Sequence, residues 1–322
     1  MSQEEADSRR SPVSALVGSL VLNRFLIERR IGSGGFGTVY EAWDGRLERP
    51  VAVKAIESTG SRPSRRVLRE AQAAARLNHP GIVTLYELGE EEGKALLVTE
   101  LVDGSTLAEL HREGALSDRE IGEIGADLCE ALDHAHDRGV VHRDVKPQNV
   151  LVAGEEGEPR AKLMDFGVAR LADSAALTAP GDVVGTLAYM APEQAEGRDA
   201  GPAADVYSLA LMLYECWSGE HPVRRAGPAA TARAIGGRLR PLRRLRPDLP
   251  RQLCETVDAC LGTRPERRPG LDRLGTAIED SLPRLAERPP RRGRSLGLRL
   301  GAVAAAAVLG AWLAAGHGAL LP

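Results

Sequence analysis

Lysine is almost missing from this 322-residue sequence: of 42 basic residues only Lys54, Lys94, Lys146 and Lys162 are lysines, and the rest are arginines. A residue type this rare makes its positions informative. Excess charge of one sign is also lacking. The formal net charge of −3 excludes the basic footprint of a nucleic-acid binder. Cysteine pairs are absent: Cys129, Cys216, Cys254 and Cys260 form no CxxC and have no histidine at metal-ligand spacing. They are expected as small buried hydrophobes in a reducing compartment. His134 and His136 are two apart, so on a helix they face different ways and are read as structural rather than metal-binding. The N-terminus lacks a basic stretch followed by a sustained apolar run and a small-residue cleavage site, so no secretory signal is expected.

What is there falls into a strand-rich front and a helical back. Residues 1–22 are polar and without period, and are expected to be disordered. Phe25–Ile27, Thr38–Tyr40, Val51–Val53, Ile82–Leu88 and Ala95–Leu101 are β-branched or aromatic runs bounded by Gly, Asp and Pro, which predicts antiparallel strands. Ser64–Leu77 predicts one helix among them. Beyond Gly104 the spacing predicts helices over Leu107–Arg112, Asp118–Arg138, Asp205–Ser218 and Leu249–Leu261, with Ser117 and Glu120 forming a capping box. Two short strands are expected at Val150–Val152 and Ala161–Leu163. The two parts join near Glu100–Asp103, and there is no internal repeat.

Several motifs carry chemistry. Gly32-Ser33-Gly34-Gly35-Phe36-Gly37-Thr38-Val39 fits GxGxxGxV, whose glycines let backbone N–H groups approach phosphates. Alone it is weak, since dinucleotide-binding folds carry GxGxxG and a plain hairpin would read the same. Here strand formers lie on both sides, so the turn joins two strands. Val51-Ala52-Val53-Lys54 places a lysine on the next strand, where phosphates or the helix carboxylate Glu70 would serve as its anion. An ordinary surface ion pair would account for those two residues equally well.

His142-Arg143-Asp144-Val145-Lys146-Pro147-Gln148-Asn149 is the most specific signal. Asp144 can orient a hydroxyl and accept its proton, Lys146 can neutralise a transferring phosphoryl group, and Asn149 offers a hard oxygen to a metal. Arg143 can pair with a phosphate on a nearby loop. Asp165-Phe166-Gly167 follows closely and supplies a second metal ligand. Gly185-Thr186 and Ala191-Pro192-Glu193 close a segment that fits a substrate platform. Thr186 can bridge Asp144 and Lys146. Glu193 is expected to pair with Arg268, and Asp205 to brace the catalytic loop, and for these the structural role is favoured.

Taken in chain order from Ile31 to Arg268, these motifs resemble the protein-kinase signature set. Lys146-Pro147 after Asp144, and Tyr189-Met190-Ala191-Pro192-Glu193, resemble the serine/threonine branch. Asn78-His79-Pro80-Gly81-Ile82-Val83 and the stretch Asp165–Gln194 resemble bacterial members, the Hanks-type or eukaryotic-like kinases. The resemblance implies an α+β bilobal fold: a small antiparallel β-sheet N-lobe with one helix over 23–101, and a mainly helical C-lobe over 104–282. It implies ATP and Mg2+ as cofactors and Ser/Thr hydroxyls of proteins as acceptors in bacterial signalling. By that match Thr99 is the gatekeeper, Glu100–Val102 the hinge, Val39 and Ala52 pack on the adenine, and Ile31 is among the ATP-binding residues. Thr178 is the implied autophosphorylation site, its phosphate pairing with Arg143. Val223 after Pro222, where the family often has an aromatic, and the helix-poor stretch Arg224–Arg240 depart from the pattern and bear on substrate docking.

Residues 283–299 form a Pro/Arg-rich juxtamembrane linker, and 300–321 are predicted as a transmembrane helix. Arg288, Arg291, Arg292, Arg294 and Arg299 precede it, which puts the kinase domain on the cytoplasmic side of the cell membrane as a single-pass protein. An Ala-rich helix packed on the domain would share this composition. Gly301, Ala305 and Ala306 suit close helix approach and hence a homodimer in the membrane. Two other functions share part of the motif set. A pseudokinase scaffold would bind nucleotide without transfer, against which stand Lys54, Glu70, Asp144, Asn149 and Asp165 together. A small-molecule phosphotransferase would lack the Arg143–Lys146 context and Ala191-Pro192-Glu193.

Overall fold

The computed structural model describes residues 16–34, 37–57, 73, 75–155, 158–166 and 187–287. It divides into the units Met1–Pro289 and Pro290–Pro322, and all described residues belong to the first. The front of the chain forms a six-stranded antiparallel sheet. Its strands are β1 (Leu20–Val21), β2 (Phe25–Gly34), β3 (Gly37–Asp44), β4 (Arg49–Glu57), β5 (Leu85–Glu91) and β6 (Lys94–Glu100), in the order β1-β2-β3-β4-β6-β5. Side chains alternate across a strand, and the sheet uses both faces. Phe25, Ile27, Tyr40, Ala42, Val51, Val53, Leu96 and Val98 bury one face as a single core. The opposite parity, Val39 on β3 with Ala52 and Lys54 on β4, is left to line the cleft described below.

At the rim of that core stands a carboxylate, Asp44, fully buried. Arg24 grips both its oxygens at 2.6 and 2.7 Å, and the Arg46 amide adds a third bond at 3.0 Å. The Arg24 hydrogen bonds outweigh the cost of burial and hold its carboxyl down at about 2.

The helical body contains α1 (Leu107–Glu113), α2 (Asp118–His136), α3 (Pro192–Ala195), α4 (Pro202–Ser218), α5 (Pro228–Ala234), α6 (Leu242–Leu245), α7 (Arg251–Cys260) and α8 (Leu271–Glu279). A second, three-stranded sheet of β7 (Ser105–Thr106), β8 (Val150–Glu155) and β9 (Glu158–Leu163) lies with them. Thr106 with Glu109, and Ser117 with Glu120, form capping boxes that start α1 and α2. Helix α4 is buried all round: every residue from Ala204 to Trp217 is buried, most of them apolar. It is the axis of the large core, with Leu128 and Leu132 of α2, Leu253 of α7 and Leu274 of α8 in the same cluster.

The two parts are tied by backbone. Ile82 forms a parallel bridge with Leu163, through Val83 N–H to Leu163 O at 2.9 Å and Leu163 N–H to Gly81 O at 2.8 Å.

Three sequence expectations shift. Leu20 and Val21 pair with Leu26 and Phe25, so ordered structure starts ahead of residue 23. The predicted strand at 82–88 begins only at Leu85. The predicted helix over 64–77 lies outside the described residues except near its end, where Ala73 is helical and Leu77, past the helix, is buried in the large core. All four cysteines are free and buried, as expected. Among the described residues no helix is long and apolar enough to cross a membrane. The predicted segment 300–321 lies outside them.

Candidate active site

A cavity of about 1210 Å³ opens between the six-stranded sheet and the helical body. From the sheet, Ile31, Gly32, Ser33, Gly37, Val39, Ala52 and Lys54 line it. Thr99, Glu100 and Val102, where the chain crosses between the lobes, form its back. Lys146, Asn149, Asp165 and Phe166 line the opposite wall. Gly37 has φ +122°, and a Cβ there would lie 2.3 Å from Ala55 O, so only glycine fits this end of the hairpin. Thr38 is buried and pairs with Ser33 and Ala55, which turns it away from the cleft that its neighbours Gly37 and Val39 face. Gly34 pairs with Gly37 at the end of the hairpin. Gly35 and Phe36, at its tip, lie outside the described residues.

The loop from His142 to Asn149 is held from beneath. Asp205, 1% exposed at the start of α4, accepts hydrogen bonds from the Arg143 amide on Oδ1 (2.7 Å) and the His142 amide on Oδ2 (2.8 Å). The His136 ring meets the same Oδ2 at 2.8 Å. From the other side Gln194 donates to Arg143 O at 2.9 Å. This clamp keeps Arg143 in the left-handed region, φ 67°, a conformation costly for a non-glycine residue and typical of functional loops. The His142 ring is fixed as well. Its Nδ1 accepts the Asp144 amide at 3.2 Å, so Nε2 carries the proton donated to Met164 O at 2.9 Å. Phe166 meets that ring edge-on, 4.6 Å between centroids.

On this base the polar groups converge. Lys146 Nζ lies 2.8 Å from Asp144 Oδ2. Asn149 Nδ2 donates to Asp144 O at 2.8 Å and to Oδ2 at 3.0 Å. Across the cleft, Lys54 Nζ lies 2.5 Å from Asp165 Oδ2, and Asp165 also has left-handed φ, 66°. The Asn149 amide nitrogen is committed to Asp144, which leaves its carbonyl oxygen as a ligand. With the Asp165 carboxylate this makes two hard oxygens, the usual protein share of a magnesium site completed by substrate phosphates and water. Among the described residues no cluster of three or more His, Cys, Asp or Glu is assembled to hold a metal by itself. The donor set therefore fits a metal carried with a phosphate substrate.

Glu193 and Arg268 meet as expected, with bonds of 2.6 and 2.7 Å. Burial opposes ionisation of Glu193, but the two guanidinium bonds prevail and hold its carboxyl below the usual range. Glu70, Thr178 and Thr186 lie outside the described residues. Two contributors were not foreseen. Gln194 ties the Ala191 amide to Arg143 O. Lys162 on β9 reaches Glu100 Oε1 at 2.7 Å, so an ion pair spans the crossing between the lobes. The scarcity of lysine was the signal for Lys162.

A glycine hairpin and a lysine face a carboxylate, lysine and asparagine loop across one interlobe cleft. That arrangement defines a phosphotransferase of two lobes. Residues 25–277 match the family model described as the protein kinase domain, and the chain belongs to that family. Family membership carries with it the use of ATP and a divalent metal. Serine/threonine-protein kinase PknA of Mycobacterium tuberculosis is 41% identical over 290 residues, 87% of this chain and 65% of PknA. PknB of Mycobacterium leprae is 42% identical over 219 residues, 65% of this chain and 35% of PknB. The crystal structure of the Mycobacterium tuberculosis PknI kinase domain aligns with a TM-score of 0.67 at 28% identity, covering 83% of this chain and 100% of that one. The chain thus spans about two thirds of PknA and about a third of PknB.

Proposed function

We propose that this protein is a bacterial serine/threonine protein kinase that transfers the γ-phosphoryl group of ATP to Ser or Thr hydroxyls of proteins. The observation that carries the reading is the convergence of Lys54, Lys146, Asn149 and Asp165 on one cleft, with Asp144 held directly against Lys146 and Asn149. Lys54 holds the α- and β-phosphates, and Thr99 to Val102 receive the adenine against Val39 and Ala52. Asn149 and Asp165 would hold Mg2+, which would supply positive charge to the phosphates. Asp144 orients the acceptor hydroxyl and takes its proton, with Lys146 beside it to stabilise the developing charge. The likeness to PknA and PknB supports serine and threonine as acceptors.

The same reading places a kinase domain over 23–282 in the cytoplasm, anchored through 300–321 behind the arginine-rich 283–299 and able to pair there with a second copy. Thr178 is its autophosphorylation site, with Arg143 as the phosphate's partner. The test is transfer of label from radioactive ATP, with magnesium, to the chain itself and to a generic protein. Label in the wild type that vanishes in Asp144→Asn supports the kinase. Nucleotide binding without transfer, under varied metals and substrates, refutes it. Mass spectrometry that finds no phosphate on Thr178 removes that site. Recovery of the full-length chain in the soluble fraction without detergent removes the anchor.

A further inference from the structure

The helical body carries its charge unevenly. From Arg224 to Arg251 the sequence has nine arginines and one carboxylate, Asp248, within a chain of net charge −3. Three of the nine are balanced: Arg224 by Glu215 at 3.0 Å, Arg246 by Asp118 and Asp248 at 2.6 Å each, and Arg251 by Glu255 at 2.6 Å. The other six are Arg225, Arg233, Arg238, Arg240, Arg243 and Arg244. All six are exposed, and none has a carboxylate within ion-pair distance among the described residues. Like charges crowded together repel, so the fold gains nothing from this surface. It raises the local potential for anions instead.

The position of the surface says which anion. The turn that follows α5 leans on the end of the substrate platform: a methyl placed on Gly236 would sit 3.6 Å from Pro192 Cβ. Arg233 and Arg238 flank that turn. Pro192 is two residues from Gln194, which holds Arg143 O beside Asp144. Arg233 and Arg238, at the ends of this turn, therefore stand on the side of the surface next to the place where a protein hydroxyl is brought to the catalytic loop. The cations are arginines, whose planar fork pairs with a carboxylate through two bonds.

We propose that this arginine surface docks an acidic stretch of the protein substrate, so that the enzyme selects proteins carrying Asp and Glu near the acceptor hydroxyl. The inference rests on the kinase reading above and adds to it the class of substrate. The test uses the full chain and matched threonine peptides that differ only in flanking residues: Asp/Glu, Ser/Gly or Lys. The expected KM for the acidic peptide is about tenfold below that for the neutral one, and the difference shrinks in 0.5 M salt. In the double variant Arg233→Glu with Arg238→Glu the acidic advantage disappears, while kcat and the KM for ATP hold and the neutral peptide is unaffected. Fluorescence anisotropy with a labelled acidic peptide reads docking even without turnover. Binding with no transfer to any peptide would overturn the kinase reading and leave the docking site standing. Equal KM values and equal anisotropy for acidic and neutral peptides overturn the docking site. So does a double variant that loses sedimentation with phosphatidylglycerol vesicles but keeps its preference for acidic peptides, because the surface then faces lipid.

Discussion

Arg268 and Glu193, 75 residues apart in sequence, close on each other through two parallel hydrogen bonds with both side chains essentially out of water. Two further Arg268 N–H groups donate to Ala203 O at 2.7 Å and Gly262 O at 2.8 Å. The pair thus fastens α3, which carries Glu193, to the first turn of α4 and to the turn after α7. Removing one partner leaves the other charged and buried, which costs about 3–5 kcal/mol. Arg268→Ala should therefore lower the unfolding free energy by that amount in urea titrations. Arg268→Lys should recover only part, because a point ammonium cannot reproduce the bidentate fork. A loss below 1 kcal/mol in Arg268→Ala would show that the pair is dispensable.

Asp205 acts on the chemistry through others. Its carboxylate accepts from two consecutive amides, His142 and Arg143, and so fixes the left-handed turn that aims Asp144. Asp205→Asn replaces one accepting oxygen with a donor that faces an N–H. Misplacing a reacting group by about 1 Å costs on the order of 10²-fold in rate, so kcat should fall by about that factor. The KM for ATP should stay near its wild-type value, since the nucleotide contacts lie elsewhere in the cleft. A parallel rise in the KM for ATP, with kcat unchanged, would refute this division of labour.

Much of this site could be read from the chain, and the reason is physical. The catalytic groups sit on short segments whose spacing is fixed by local backbone geometry, so Asp144, Lys146 and Asn149 declare themselves together. Contacts between distant segments leave no such pattern. Gln194 to Arg143 O depends on packing within the helical body and Lys162 to Glu100 on how the lobes meet, and only folding brings them together. Strand β1 escaped because two residues cannot display alternation. Thr38 is different: period-two alternation already implies that if Val39 faces the cleft, Thr38 does not. Helix α8 was missed although its signal was present, with Leu271, Leu274 and Ile278 at helical spacing on its buried side.

The Lys162–Glu100 pair fixes the crossing strand against β9 from the helical side. Both side chains keep about a quarter of their exposure, so the pair is worth no more than about 1 kcal/mol. Lys162→Met keeps the stem and removes the charge. The KM for ATP should rise by up to about fivefold, the factor that 1 kcal/mol allows, with kcat little changed. The effect should weaken at high salt. A fall in kcat of tenfold or more would mean that Lys162 reaches the chemistry, and the hinge assignment would then be wrong.

His221, just after α4, sets an acid limit on stability. Its Nδ1 accepts the amides of Val223 (3.2 Å) and Arg224 (2.9 Å), and its Nε2 is buried with no hydrogen-bond partner among the described residues. Tyr189 packs edge-on against the ring at 4.8 Å, and Tyr189 in turn donates to Glu215, which also holds Arg224. Burial first, then the nearby Arg224 and Arg225 charges, push the imidazole down from 6.5 to about 3. Between those values the unfolded chain binds a proton that the folded protein refuses. Stability from this group is therefore complete above pH 6.5 and drains away as the pH falls toward 3. Asparagine offers an oxygen where Nδ1 accepts and does not titrate. The melting temperature of the wild type should thus fall more steeply than that of His221→Asn between pH 6.5 and 4.5, with the two running parallel above pH 7. Parallel curves across the whole range would show that the imidazole titrates normally and that its surroundings are open to water.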